Sequence, residues 1–325
     1  MNTFLITGGA GFIGSHLTRR LLSLKNKVVC VDNFNDFYSP KIKEFNIVEF
    51  LDNEDYKLYR VDITDEVAMN EVFTNEQIDI VINLAAMAGV RPSIENPLLY
   101  EKINNMGFQV VLECMRKFNI KKLIAASSSS VYGNNKKVPF SETDIVDFAI
   151  SPYAATKKAN EVMGHVFHKL YDINMVFLRF FTVYGPGQRP DLAIHKFTRM
   201  IDEGKSIPLF GDGSSSRDYT YISDIIDGII KSIDYVQQAG VYEIFNLGES
   251  TPIRLNEMVE TIEKHLQKKA NITRLPKQMG DVDITYADIS KAKKILNYQP
   301  TTGFDEGIAN FVGWYKKMKE LGIYE

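Results

Sequence analysis

Through its first half the chain alternates short apolar runs with amphipathic stretches. "TFLIT" (Thr3–Thr7), "VVCVD" (Val28–Asp32), "YKLYRVD" (Tyr56–Asp62), "IDIVINLAA" (Ile78–Ala86), "KKLIAAS" (Lys121–Ser127) and "NMVFLRFF" (Asn174–Phe181) read as strands. Between them Gly11–Leu24, Glu66–Thr74, Pro97–Phe118 and Ser151–Tyr171 read as helices, the last with Ser151 as N-cap and Pro152 in its first turn. Strands that alternate with helices predict an α/β fold with a parallel sheet covered on both faces.

After Thr182 the rhythm loosens. "VYGPGQRPD" is rich in Gly and Pro and reads as a loop. A helix (Leu192–Gly204), a short strand (Ile207–Phe210), the loop "GDGSSSRDYTYISD" running into a strand, and a helix (Asp224–Gln237) follow. "VYEIFNLG" (Val241–Gly248) is a strand that can rejoin the first sheet, and three further helices end with Phe304–Lys319. No internal repeat or low-complexity linker separates the halves. The expected division is therefore interleaved: residues 1–181 with 221–250 as one domain, 182–220 with 251–325 as a smaller second one.

Composition narrows the class. Apolar residues make up 45% and charged residues 24%, ordinary for a folded water-soluble chain, and the net charge is −3. No run of Lys and Arg predicts a nucleic-acid partner, and no apolar stretch is long enough to span a bilayer. Two cysteines, Cys30 in a strand and Cys114 in a helix, read as buried free thiols. The five histidines show no metal-ligand spacing, so no metal is expected. "MNTFLITGG" lacks the form of a signal peptide, and the expected location is the cytoplasm.

"TGGAGFIGSH" (Thr7–His16) lies between the first strand and the first helix. Gly9-x-Gly11-x-x-Gly14 fits a dinucleotide fingerprint, and Gly8-x-x-Gly11-x-x-Gly14 its longer-spaced relative. Glycine is required where backbone turns tightly against a pyrophosphate and a helix N-terminus offers N–H groups to the anion. The context predicts a Rossmann-type doubly wound sheet with a smaller, interleaved α/β substrate domain. Asp32 ends the second strand 18 positions after Gly14, placed to accept from ribose hydroxyls and to repel a 2′-phosphate. That favours NAD over NADP. Asp62, ending the third strand, is either an adenine contact or an ordinary strand-end aspartate.

Tyr153-Ala-Ala-Thr-Lys157 sits in the first turns of its helix, so the two polar side chains share a face. An ammonium near a phenol lowers its pKa, and such a tyrosine removes a proton from a sugar hydroxyl. The motif gains weight from the dinucleotide site before it and from the serine run "SSSSVYG" (Ser127–Gly133).

With these motifs the chain resembles the extended short-chain dehydrogenases/reductases, and among them the nucleotide-sugar 4-epimerases. "TGGAGFIGSH", "LAAMAGVR", "YEKINNMGF", "SSSSVYG", "YAATKK", "LRFFTVYGP", "RDYTYISD", "FNLG" and "GDVDITYAD" carry the resemblance over nearly the whole chain. "AGVR", "ASSSSVYG" and "LRFFTVYGP" place it nearest the members that act on UDP-glucuronate. The resemblance implies NAD lined by Gly8, Gly11, Phe12, Ile13, Gly14, Asp32, Asn33, Asp62, Ile63, Leu84, Ala85, Ala86 and Asn104. It implies Tyr153 as acid and base at the sugar 4-hydroxyl, Lys157 on the nicotinamide ribose, and Ser128 as third catalytic hydroxyl. Arg217 would grip the UDP diphosphate, unless it only pairs with Asp218, and Asp281 would fix the nucleotide ribose. A homodimer through Pro97–Phe118 and Ser151–Tyr171 is implied by the resemblance alone.

The implied reaction passes through a 4-keto sugar, which for a uronate is a β-keto acid prone to lose CO2. Related decarboxylases carry Glu at the position of Ser130, and related 4,6-dehydratases carry Asp-Glu at Ser129 and Ser130; this chain has neither acid. Ser129, Ser130 and Thr182 are then neutral donors for a sugar carboxylate. Arg189 and Arg91 are candidate cations for the carboxylate or the diphosphate, with Arg189 favoured for the carboxylate. A neutral UDP-hexose or UDP-N-acetylhexosamine, decarboxylation of UDP-glucuronate, and a dinucleotide-sensing binding protein are the alternative readings.

Overall fold

The computed structural model describes residues 1–276 and 282–323. Its strands are β1 (Thr3–Thr7), β2 (Lys27–Val31), β3 (Tyr56–Tyr59), β4 (Ile80–Asn83), β5 (Lys122–Ser128), β6 (Asn174–Phe180), β7 (Thr182–Tyr184), β8 (Ser206–Phe210), β9 (Ser216–Tyr221), β10 (Tyr242–Leu247), β11 (Pro252–Arg254) and β12 (Asn271–Leu275). Its helices are α1 (Phe12–Ser23), α2 (Pro40–Ile47), α3 (Glu66–Asn75), α4 (Val90–Glu95), α5 (Pro97–Tyr100), α6 (Gly107–Lys117), α7 (Pro152–Tyr171), α8 (Ala193–Asp202), α9 (Ile222–Tyr235), α10 (Leu255–Leu266), α11 (Ser290–Leu296) and α12 (Phe304–Glu320).

Seven parallel strands form the main sheet in the order β3-β2-β1-β4-β5-β6-β10. As expected, the strand from "VYEIFNLG" rejoins it, beside β6. Successive residues of a strand face opposite ways, and the buried side chains divide accordingly. Phe4, Ile6, Ile80, Ile82, Ile124, Val176 and Leu178 share one core with α1 and α9; Leu5, Val81, Leu123, Ala125, Met175 and Phe177 share the other with α3, α6 and α7. A third core, built from Ile207, Leu209, Met258, Ile262 and Phe311, lies among β8, α8, α10 and α12. The chain reverses its direction of winding between β1 and β4. Ligands of open α/β sheets bind outside the strand carboxyl ends at such a switch point.

The structure differs from the sequence-based elements where local pattern is weakest. Val183 and Tyr184, expected to open the loop, instead belong to strand β7, paired in parallel with β9. The short strands β11 and β12 and the helices α2 and α4 carry no clear periodicity in sequence. The expected helix Pro97–Phe118 contains a π-turn at Glu101–Met106. The expected strand Ile78–Ala86 is shorter, because Leu84, Ala85 and Ala86 peel away to line a cavity. Ser151 caps α7 as expected, its hydroxyl accepting from Ala154 N–H at 3.1 Å.

Helix α7 seats on the sheet at Gly164, where an added Cβ would lie 2.4 Å from Phe177 Cζ and 3.1 Å from Met175 Sδ. Alanine is the better helix former by about 1 kcal/mol, yet overpacking a buried contact costs about 1–3 kcal/mol. Gly164→Ala is expected to lower the urea midpoint; an unchanged or higher midpoint would show that α7 shifts freely on the sheet.

Candidate active site

The tight turn after β1 makes the first wall of the site. Gly8 has φ +71°, and a Cβ there would lie 2.9 Å from the Ala85 backbone. A Cβ on Gly14 would lie 2.3 Å from Gly8 O. Side chains at these two positions would fill the cradle or push α1 off the strand. No side chain caps the start of α1, so its first N–H groups face the crevice. At the end of β2 the Asp32 carboxylate accepts from Phe34 N–H at 2.9 Å and Ala10 N–H at 3.2 Å. Asn33 Nδ2 donates to Asp62 at 2.8 Å. Burial pushes Asp62 up, but Thr64 and Asn33 donate to it and hold it below its ordinary value.

The serine run sits where β5 ends. Ser128 closes the strand and caps the 3-10 turn Ser129–Tyr132, its hydroxyl accepting from Ser130 N–H at 3.1 Å. Tyr153 and Lys157 reach the same place from the first turns of α7. Lys157 is buried; its ammonium donates to Ala126 O at 2.8 Å, and burial pulls it down to about 8. Tyr153 is held above its ordinary value by removal from solvent, against the pull of a hydrogen bond with Ser128 and of the Arg189 charge. The lowering expected from Lys157 is not realised in this arrangement. Arg189 is the cation that acts on Tyr153. It comes from the loop after β7, pairs with Asp191 at 2.7 Å, and lies 5.0 Å over the Phe37 ring. His16 anchors this loop to α1 through Pro186 O at 2.8 Å.

These groups line one cavity of about 380 Å³ that runs from Asp32 and Asp62 to Ser129, Ser130, Tyr153, Thr182 and Arg189. A second cavity of about 180 Å³ shares Ser129, Ser130 and Thr182 with the first and carries Arg217 on its wall. Asp218 turns away from Arg217 and accepts from the N–H groups of Glu249, Ser250 and Ala287 at 2.8–3.0 Å. The ion pair that would have made Arg217 merely structural is therefore not formed.

A sequence profile described as GDP-mannose 4,6 dehydratase matches residues 5–311. UDP-glucuronate 4-epimerase of Thermodesulfobacterium geofontis is 44% identical over 322 residues, covering 99% of this chain and 98% of that protein. The crystal structure of UDP-glucuronic acid 4-epimerase from Bacillus cereus with UDP-glucuronic acid and NAD superposes with a TM-score of 0.91 at 35% identity, covering 97% of this chain and 99% of that one. UDP-glucose 4-epimerase of Thermotoga maritima with UDP-glucose gives 0.88 at 32% identity, over 98% and 99%. The chain belongs to the extended short-chain dehydrogenases/reductases. Within that family it is an NAD-dependent nucleotide-sugar epimerase.

The epimerase's own residues fit a dinucleotide: a cradle without Cβ atoms at Gly8 and Gly14, an uncapped helix start, and a carboxylate at Asp32. The structure brings together nearly all of the expected site. Asn104 stands behind it. Its carboxamide accepts from Met87 N–H at 2.8 Å and donates to Met87 O and Thr156 Oγ1, each at 3.0 Å. Arg91 lines neither cavity; its guanidinium lies 5.1 Å over the Phe210 ring. Asp281 lies outside the described residues. Cys30 and Cys114 are free and buried, as expected. Among the described residues no cluster of His, Cys, Asp or Glu is placed to hold a metal, and no helix is long and apolar enough to cross a membrane.

Lys43 was not foreseen. It is buried on α2 with its ammonium 3.7 Å from Asp32, so the charge of Asp32 is partly offset. Its sequence signal is faint, because a lysine in "PKIKEFNI" looks like any solvated helix position.

Lys157 gives a pH test. Its folded value, about 8, lies below its ordinary 10.5, so its charge costs stability below pH 8. That cost fades as pH rises towards 10.5. In cofactor-free protein Lys157→Met is expected to melt at or above wild type at pH 7, with the advantage shrinking by pH 10. Turnover is expected to fall at least about 100-fold. An advantage that grows with pH, by calorimetry, would contradict the assignment.

Proposed function

We propose that this epimerase converts UDP-glucuronate to UDP-galacturonate through a 4-keto sugar. One observation carries the reading. Among the described residues, the carboxylates that line the two cavities are Asp32 and Asp62, both at the adenosine end. Where the cavities join stand three neutral hydroxyls, Ser129, Ser130 and Thr182, with Arg189 beside them. Such a junction accepts a sugar carboxylate by hydrogen bonds and charge, where an acid would repel it.

Tyr153 takes the proton from the sugar 4-hydroxyl and returns it after the keto sugar has turned its other face. Ser128 stands beside Tyr153 on the wall of the same cavity and, with the Arg189 charge, favours its phenolate. Lys157 holds the nicotinamide ribose. NAD, held by the Gly8 and Gly14 cradle and by Asp32, would supply the hydride acceptor and donor for C4. Arg217, on the wall of the second cavity, holds the diphosphate. Ser129, Ser130, Thr182 and Arg189 keep the C5 carboxylate from swinging into the plane in which its bond to the ring would break.

Incubation of the purified protein with UDP-glucuronate, without added NAD, tests this. UDP-galacturonate is the expected product. UDP-pentose with CO2 would overturn the clamp, and turnover of UDP-glucose alone would move the activity to neutral hexoses.

A homodimer is part of the proposal. Val162, Val166 and Leu170 make an exposed apolar stripe at i, i+4 and i+8 of α7, beside exposed Leu98 and Met106. Val166→Glu with Leu170→Glu is expected to give a monomer by light scattering; a wild-type mass would place the contact elsewhere.

A further inference from the structure

Beneath the serine run lies an ion pair that none of the steps above uses. Glu161 on α7 and Arg179 on β6 have side chains 1% exposed. The guanidinium forks onto the carboxylate, Nε to Oε1 and Nη2 to Oε2, each at 2.8 Å. Oε1 also accepts from Ser127 Oγ at 2.8 Å. Arg179 Nη1 donates to Tyr132 OH at 3.0 Å, and that hydroxyl donates to Asn246 at 2.7 Å. Ser127, Arg179 and Asn246 are register partners across β5, β6 and β10. Their row lies one residue short of the level of Ser128.

Such a pair is an expensive way to gain stability. Desolvating two charges roughly cancels their attraction, and apolar replacement of both partners is often neutral. Geometry is what it provides, because a bidentate fork fixes direction as well as distance. Tyr153, Lys157 and Glu161 are i, i+4 and i+8 on α7, one stripe along the helix. Lys157 binds Ala126 O and Glu161 binds Ser127, so α7 is tied to the end of β5 at two points one turn apart. The third member of the stripe, Tyr153, is thereby delivered to Ser128. Through Tyr132 the same network holds the turn that carries Ser129 and Ser130.

We infer that the Glu161–Arg179 pair is a positioning device: it sets where α7 seats along β5, and so the approach of Tyr153 to Ser128. This inference rests on the catalytic roles proposed for those two residues. A displacement of about 1 Å at such a site costs on the order of 100-fold in rate.

The test compares wild type, Y153F, E161L/R179M and S127A on whichever UDP-sugar wild type turns over, as NAD-loaded full-length protein. E161L/R179M removes both charges together. It is expected to melt near wild type, retain its NAD and keep KM within about twofold while kcat falls by about 100-fold. S127A, the mildest lesion, is expected to lose about tenfold in kcat with unchanged KM and NAD content. A merely structural pair predicts wild-type kcat in the folded double variant, and that result would overturn the inference. Should the double variant not fold, S127A decides: wild-type kcat overturns it and a selective fall supports it. An active Y153F would instead sink the catalytic reading, so the two failures are told apart.

Discussion

The seating of α7 against the carboxyl end of β5 is the constraint on which the site depends. Tyr153 and Lys157 arrive on the helix, Ser128 on the strand, and nothing covalent relates them within 24 residues of chain. Proton transfer needs the phenol and hydroxyl within hydrogen-bond reach, so the helix cannot slide by a fraction of a turn. Close packing at Gly164 sets its height over the sheet, and polar bonds to Ala126 and Ser127 set its position along it. The cap at Ser151 then starts the helix just before Tyr153.

Charge is distributed along the cleft in a way that suits its ligands. One end holds Asp32 and Asp62, with Lys43 offsetting the first. The other end holds neutral hydroxyls and Arg189, and the pocket beyond holds Arg217. Under the proposed function the substrate's anionic groups would meet donors and cations, and the ribose hydroxyls acceptors. Away from bulk solvent such interactions are stronger than at a surface, and a misplaced carboxylate is correspondingly costly. The π-turn at Glu101–Met106 belongs to the same economy: it turns Asn104 towards Met87 and Thr156, and Asn160 donates to the Asn104 carbonyl at 3.0 Å.

Much of this was legible in the residues, because it rests on local rules. Apolar runs and helical periodicity reveal the alternating strands and helices of the main sheet. The glycine loop announces itself because backbone at φ +71° and a helix start against a strand leave no room for Cβ. Tyr153 and Lys157 stand out by their spacing within one helix, whereas Ser128 is singled out from its serine run only by the family resemblance. Strands β7, β11 and β12 are not recognisable, since their residues are mostly exposed or half-buried and form no apolar run.

The sequence by itself determined the class of fold and the dinucleotide cradle, which follow from interactions within a few residues, and it marked the side chains proposed to react. Tertiary structure alone decided which charges meet. It put Lys43 beside Asp32, left Arg217 free of Asp218, brought Arg189 rather than Lys157 to bear on Tyr153, and buried Glu161 with Arg179 under the serines. Electrostatic partners are set by distance in space, and no local pattern shows that Lys43 will meet Asp32 or that Arg179 will meet Glu161.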